Sequence, residues 1–149
     1  MASTVHTTPF ADIPGSLPKD LVPQDVELDS LPALVESFLT DFSPANLADD
    51  VLWRDFLSFT GAIRTLSGKH NVANAWAKLS KLNESSDFAA SQPMSMRHVP
   101  GSSWVDVQFA FHVSPQDGLP ATGSGSVSLV PGENGSWKIL GHQDFFGGL

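Results

Sequence analysis

The chain has 149 residues, with eight basic against sixteen acidic side chains, a net charge of -8 and no cysteine. That length suits one hydrophobic core and is short for two ordinary domains, while the negative charge repels nucleic acid and anionic membrane surfaces. The lack of Cys excludes disulfides, thiolate catalysis and zinc-thiolate sites.

Residues 1–28 are rich in Pro, Ser, Thr and Asp, with Pro9, Pro14, Pro18 and Pro23 interrupting any helix. They read as an extended or flexible arm preceding a single domain over 29–149. The first residues lack the basic-then-apolar order of an export signal, and no segment approaches the ~20 apolar residues that span a bilayer. The expectation is therefore a cytoplasmic protein. Two glycosylation sequons, at Asn83 and Asn134, then read as ordinary turns.

From Ser30 onward Leu31, Leu34, Val35, Phe38, Leu39 and Phe42 form one stripe of an amphipathic helix. Pro32 is tolerated in the first turn, and Ser43-Pro44 ends the run. A short turn is expected over Asn46–Asp50, then a strand from Val51 carrying Trp53 and Asp55. A second helix is predicted from Lys69 to Leu82, with Val72, Ala75, Trp76, Leu79 and Leu82 on its apolar face. The second half reads as four strands, 85–98, 103–113, 121–130 and 137–146, joined by turn-forming Pro, Gly, Ser and Asn. Hairpin-length connections imply antiparallel pairing. Gly123-Ser124-Gly125-Ser126 lies between strand signals rather than at a helix start, so it reads as a flexible strand beginning, not a phosphate cradle.

These elements predict an α+β cone: a curved, mostly antiparallel sheet packed against two to three helices from the first half. Such a cone encloses a mainly apolar cavity. Trp53, Phe56, Phe59, Trp76, Phe109, Phe111 and Trp137 are its candidate lining; each ring taken alone is more often plain core, and only their collective excess favours a cavity. Asp55 shares a strand face with Trp53 by the period-two rule, and Arg64 follows on the next segment. A carboxylate oriented by a guanidinium can remove a proton from carbon beside a carbonyl; the alternative is a structural ion pair.

His142 and Asp144 form a second candidate pair. In a regular last strand they point away from Ile139, and a bulge at Gly141 would turn them inward. His98 and His112 read as surface or satisfied core groups. No metal-ligand pattern is present, and no motif calls for a nucleotide, flavin or other cofactor. Trp104 and the even-numbered positions beside it lie on the outer sheet face, which suggests a homodimer through that face.

The order of helix, acidic turn, Trp53-Arg54-Asp55 strand, Arg64-Thr65, Gly68-entered helix and β-rich half resembles the nuclear transport factor 2-like superfamily, including its SnoaL-like cyclases. The similarity spans residues 31–146 and is nearest to the domain that precedes the flavin-binding domain in some fungal flavin-containing monooxygenases. It implies the cone fold and polar residues on the pocket side near His142. It also implies one of two functions. One is a cofactor-free cyclase, isomerase or dehydratase of fungal-type secondary metabolism acting on a hydrophobic small molecule. The other is a non-catalytic ligand-binding or dimerisation domain. The chain has no Tyr, so a mechanism resting on phenols, as in scytalone dehydratase-like relatives, does not transfer.

Overall fold

The computed structural model describes residues 21–23, 26–56, 63–116 and 118–146, with the backbone alone described at 55, 56, 63, 64, 92–95, 98, 99 and 142–146. Helix α1 runs over Leu31–Thr40 and buries Leu31, Val35, Phe38 and Leu39, the stripe read from the sequence. A short 3-10 turn follows at Pro44–Asn46, and strand β1 then spans Leu47–Phe56. Leu47–Asp50 is thus strand and not the expected turn. Leu47 and Val51 are buried core residues, and Leu47 is drawn into the sheet by its pairing with Ile139.

Strand β2, Ile63–Ser67, was not foreseen; it pairs antiparallel with β1. Helix α2 covers Lys69–Leu82 as predicted, entered through Gly68, whose φ of 86° suits glycine. Strands β3 (Ser86–Val99), β4 (Ser102–Val113), β5 (Ala121–Pro131) and β6 (Trp137–Phe146) complete the chain.

The six strands form one curved sheet in the order β2-β1-β6-β5-β4-β3. All neighbours are antiparallel except β1 and β6, which run parallel because the chain returns across the sheet to lie beside its first strand. Helix α1 packs over β3 and β4 and α2 over β1 and β2, so the two helices share one face. The apolar positions of β4, Val105, Val107, Phe109, Phe111 and Val113, are all buried beneath them. Each such burial stabilises the fold by roughly 1.5–3 kcal/mol.

Trp76 joins the layers. Its ring stacks on Phe42 at 4.8 Å, meets Trp53 edge-on at 5.4 Å and tilts against Phe88 at 5.8 Å. Its indole Nε1–H donates to the Leu39 carbonyl at 3.1 Å, satisfying an acceptor that the end of α1 leaves open. Phe88 continues the chain of rings to Phe111, and Phe111 to Phe109.

The Gly-Ser run is ordinary strand, not a loose beginning. Gly123 and Gly125 lie on the buried face of β5 while Ser124 and Ser126 lie on the other. A Cβ on Gly123 would sit 2.3 Å from the Phe111 ring, so the ring occupies the space a side chain would need.

Two further contacts finish the inner layer. Val22, at the end of the predicted arm, is buried and donates its N–H to Ser103 Oγ, with Val26 and Leu28 packed on the same core. That stretch is docked on the domain; residues 1–20 of the arm lie outside the described residues. Glu36 of α1 accepts the Ala90 N–H at 2.9 Å, covering part of the edge strand β3 with a carboxylate. On the outer face Asp106 is held by Arg97 at 3.2 Å and accepts the Ser128 hydroxyl at 2.6 Å.

Candidate functional site

Strand pairing aligns the candidate residues into two neighbouring rows across the sheet. In the first, Trp53 pairs with Leu66 on one side and His142 on the other, and His142 with Val127, which faces Val107. In the second, Asp55 pairs with Arg64 and Asp144, Asp144 with Gly125, Gly125 with Phe109, and Phe109 with Ala90. Directly paired positions belong to one face of a sheet. Trp53, Val107, Phe109 and Val127 are buried beneath the helices, so both rows lie on the inner, helix-covered face.

The placement of His142 and Asp144 depends on β6. Leu129 pairs with Ile139 but Ser128 pairs with Gly141, so β6 carries one extra residue, Leu140, opposite a regular β5. An extra residue reverses the alternation beyond it. Ile139, fully buried, is on the inner face, and after the bulge positions 142 and 144 fall in inner-face rows.

The structure therefore brings the backbone positions of Asp55, Arg64, His142 and Asp144 together. The side chains of these four residues and of Phe56 lie outside the described residues, as does Phe59 altogether. Of the remaining candidates, Trp53, Trp76, Phe109 and Phe111 belong to one core cluster, and Trp137 packs half-buried against it from the start of β6. Phe42 and Phe88 complete the row of rings and are not among the lining candidates read from the sequence. Phe42, read there as the end of the helix stripe, lies two residues past α1 and is the one signal that was available.

Among the described residues no group of three or more His, Asp or Glu is arranged to hold a metal ion, and no helix is long and apolar enough to cross a membrane. The carboxyl of Asp49, just ahead of these rows on β1, is held below its ordinary value by a hydrogen bond from Lys69 and by that ammonium's charge, the two lying 2.8 Å apart. His112 is exposed on the outer face, away from the rows.

No protein-family model matches the sequence, and no curated protein matches it. Solved structures do resemble the fold. The yeast Ubp3-associated protein Bre5 aligns with a TM-score of 0.57 at 12% identity, over 83% of this chain and 99% of that one. A ketosteroid isomerase-like protein from Erwinia carotovora gives 0.55 at 16% identity, over 83% and 100%. ActVI-ORFA from Streptomyces coelicolor gives 0.53 at 12%, over 80% and 92%. Identities this low carry the architecture alone. The likeness to an NTF2-like protein from Pseudomonas putida, with a TM-score of 0.53, agrees with the order of elements and the mixed curved sheet: this chain has the nuclear transport factor 2-like fold.

Proposed function

We propose that the protein is a cofactor-free enzyme that isomerises, cyclises or dehydrates a hydrophobic small molecule by acid-base chemistry. The observation that carries this reading is the row Arg64, Asp55, Asp144, set beside His142 and Trp53 on the helix-covered face. Neighbouring strands are ~4.8 Å apart, so acid, base and cation positions fall within one small-molecule span.

In this mechanism Asp55 takes a proton from carbon beside a substrate carbonyl. The C–H electron pair moves into the new C=C bond, the carbonyl pair shifts onto oxygen, and Arg64 stabilises that oxyanion. Return of the proton from Asp55 at a different carbon completes an isomerisation. Where the substrate carries a β-hydroxyl, protonated Asp144 or His142 gives that oxygen a proton while the enolate pair breaks the C–O bond, releasing water and restoring the carbonyl, and the proton on Asp55 then recharges the donor. Attack of the enolate carbon on a second carbonyl of the same substrate gives a cyclisation, the new alkoxide taking the proton from Asp55. Trp53, Phe56, Phe59, Trp76, Phe109, Phe111 and Trp137 are the proposed apolar wall that folds the substrate. The setting we assign is fungal-type secondary metabolism, in the cytoplasm, with the enzyme a homodimer through the outer sheet face around Trp104.

A second reading, a ligand-binding or dimerisation domain without catalysis, is favoured by one observation. The rings from Phe42 through Trp76, Phe88 and Phe111 to Phe109 already pack on one another, as in a filled core.

Proton abstraction from 5-nitrobenzisoxazole, a probe for a base in an apolar site, separates the two. The enzyme reading expects saturable turnover that falls by about 10²- to 10⁴-fold in Asp55→Asn with melting temperature preserved. A variant that melts early yet turns over normally when folded would make Asp55 and Arg64 a structural pair. No turnover above that of denatured protein would favour the binding domain.

A further inference from the structure

The connection between β5 and β6 is built on the one Asn-Gly pair of the chain, Asn134-Gly135. Ser136 N–H donates to the Glu133 carbonyl at 3.1 Å across it, and Asn134 and Gly135 both have positive φ, 56° and 74°. These are the marks of a type I′ turn, for which Asn-Gly is a favoured pair. Asn134 and Gly135 are exposed, and a Cβ placed on Gly135 would meet nothing within 4 Å. We propose that Asn134 is a modification site: the residue at which this chain loses a side-chain amide to water, at a rate set by opening of the turn.

The reaction needs only water and solvent hydroxide. Hydroxide removes the Gly135 amide proton, and the nitrogen attacks Asn134 Cγ. The new C–N bond closes a five-membered imide as the Cγ–Nδ2 bond breaks, and ammonia leaves with a proton from water, which returns the hydroxide. Water then opens the ring. Attack at Cγ breaks the new bond and gives aspartate; attack at the backbone carbonyl breaks the original peptide bond and gives isoaspartate, with the main chain passing through the side chain. Nothing is oxidised or reduced.

The local structure separates Asn134 from the other four asparagines. Asn46, Asn71, Asn74 and Asn83 are followed by Leu47, Val72, Ala75 and Glu84, whose side chains crowd the attacking nitrogen. Those nitrogens are also held in place. Leu47 N–H donates to Pro44, Val72 N–H to Gly68 and Glu84 N–H to Lys81, while Ala75 lies inside α2. Gly135 presents no side chain at all.

The turn nevertheless guards the residue it exposes. At the Asn134 ψ of 39° the Gly135 nitrogen stands nearly opposite Cβ across the Cα–C bond, the reverse of what ring closure requires. Attack waits until the Ser136–Glu133 bond breaks and the peptide swings round.

The two products differ in what they do to the sheet. Aspartate suits the same turn and adds one negative charge beside Glu133. Isoaspartate adds a backbone atom between Glu133 and Ser136, whose spacing the turn fixes. Gly132 N–H donates to the Ser136 carbonyl at 2.8 Å, and Pro131 pairs with Trp137 directly beyond, so the lengthened turn loosens the start of β6.

The test is incubation of the folded full chain in mildly alkaline buffer beside a synthetic peptide of residues 130–138, with peptide mapping by mass spectrometry over time. Asn134 is expected to convert before the other asparagines, about ten- to a hundredfold more slowly than in the peptide. Ser136→Ala removes the hydroxyl that donates to the Glu133 carbonyl at 2.5 Å. It should speed conversion about two- to fivefold in the protein and leave the peptide unchanged. Asn134→Asp should melt with wild type, and the isoaspartyl form, separated by ion exchange, should melt earlier. Earlier conversion of another asparagine, a rate equal to the peptide's, no conversion of Asn134 over that span, or indifference of the protein to Ser136→Ala would overturn the assignment. None of these outcomes depends on whether Asp55 is a base.

Discussion

On the inner face of β5, Gly123, Gly125, Val127 and Leu129 are buried; one residue away, Thr122, Ser124, Ser126 and Ser128 occupy the outer face, exposed or half-buried. The same contrast runs through β4, where Val105, Val107, Phe109 and Phe111 are buried while Gln108, Ala110 and His112 are exposed. The inner face is governed by volume: a glycine is present where a ring lies across it. The outer face carries small polar groups whose size matters little to the monomer. Both the aromatic packing and the candidate acid-base rows lie on the side where geometry is tightly constrained.

Truncating Trp76 is the largest challenge to that contrast. Trp76→Ala removes contacts to Phe42, Trp53 and Phe88 and leaves the Leu39 carbonyl without its indole donor. A loss of about 3–5 kcal/mol is expected in urea unfolding. A loss below ~1 kcal/mol would mean that α1, α2 and the sheet hold one another by other means.

A matched pair on β5 is more discriminating. Gly123→Val drives a branched side chain into the Phe111 ring and should destabilise by about 1–3 kcal/mol or more, while Ser124→Val, one residue away on the outer face, should stay within about 0.5 kcal/mol. Similar values for the two would dissolve the distinction between faces. A change in the association state of Ser124→Val, seen by light scattering, would instead sharpen it by identifying the outer face as the dimer surface.

The smallest effect belongs to the exposed pair Asp49 and Lys69. Because the folded state holds the Asp49 carboxyl below its ordinary value, the contribution is present above the unfolded-state value and is lost as pH falls through the lower folded one. Wild type should therefore melt slightly above Asp49→Asn near neutral pH, with the gap closing in acid and in high salt. A gap that persists in acid would assign the effect to something other than this charge pair.

Local signals reached most of the fold. The stripe from Leu31 to Leu39, the Lys69–Leu82 helix and the four later strands are written in periodicity and turn residues that act over a few positions. One misreading and one omission have a common cause. Leu47, at the head of β1, pairs with Ile139 of β6, and Ile63–Ser67 pairs with β1; such partners are not visible in the local sequence, and pairing decides short strands more than propensity does. Leu82 fits the apolar stripe of α2 yet is exposed, since its place in the stripe does not show where the underlying sheet ends.

By itself, then, the sequence determined the class of fold, the buried stripe of each helix and the alternation of each strand, because these follow from the 3.6- and 2-residue repeats of the backbone. It also named Asp55, Arg64, His142 and Asp144 as a short set of polar candidates. Tertiary structure alone decided that their positions share one face. The parallel pairing of β1 with β6 brings residues some 90 apart into register, and the extra residue at Leu140 turns the end of β6 over. A shift of one residue in a strand exchanges its two faces, and its position is settled by the whole sheet.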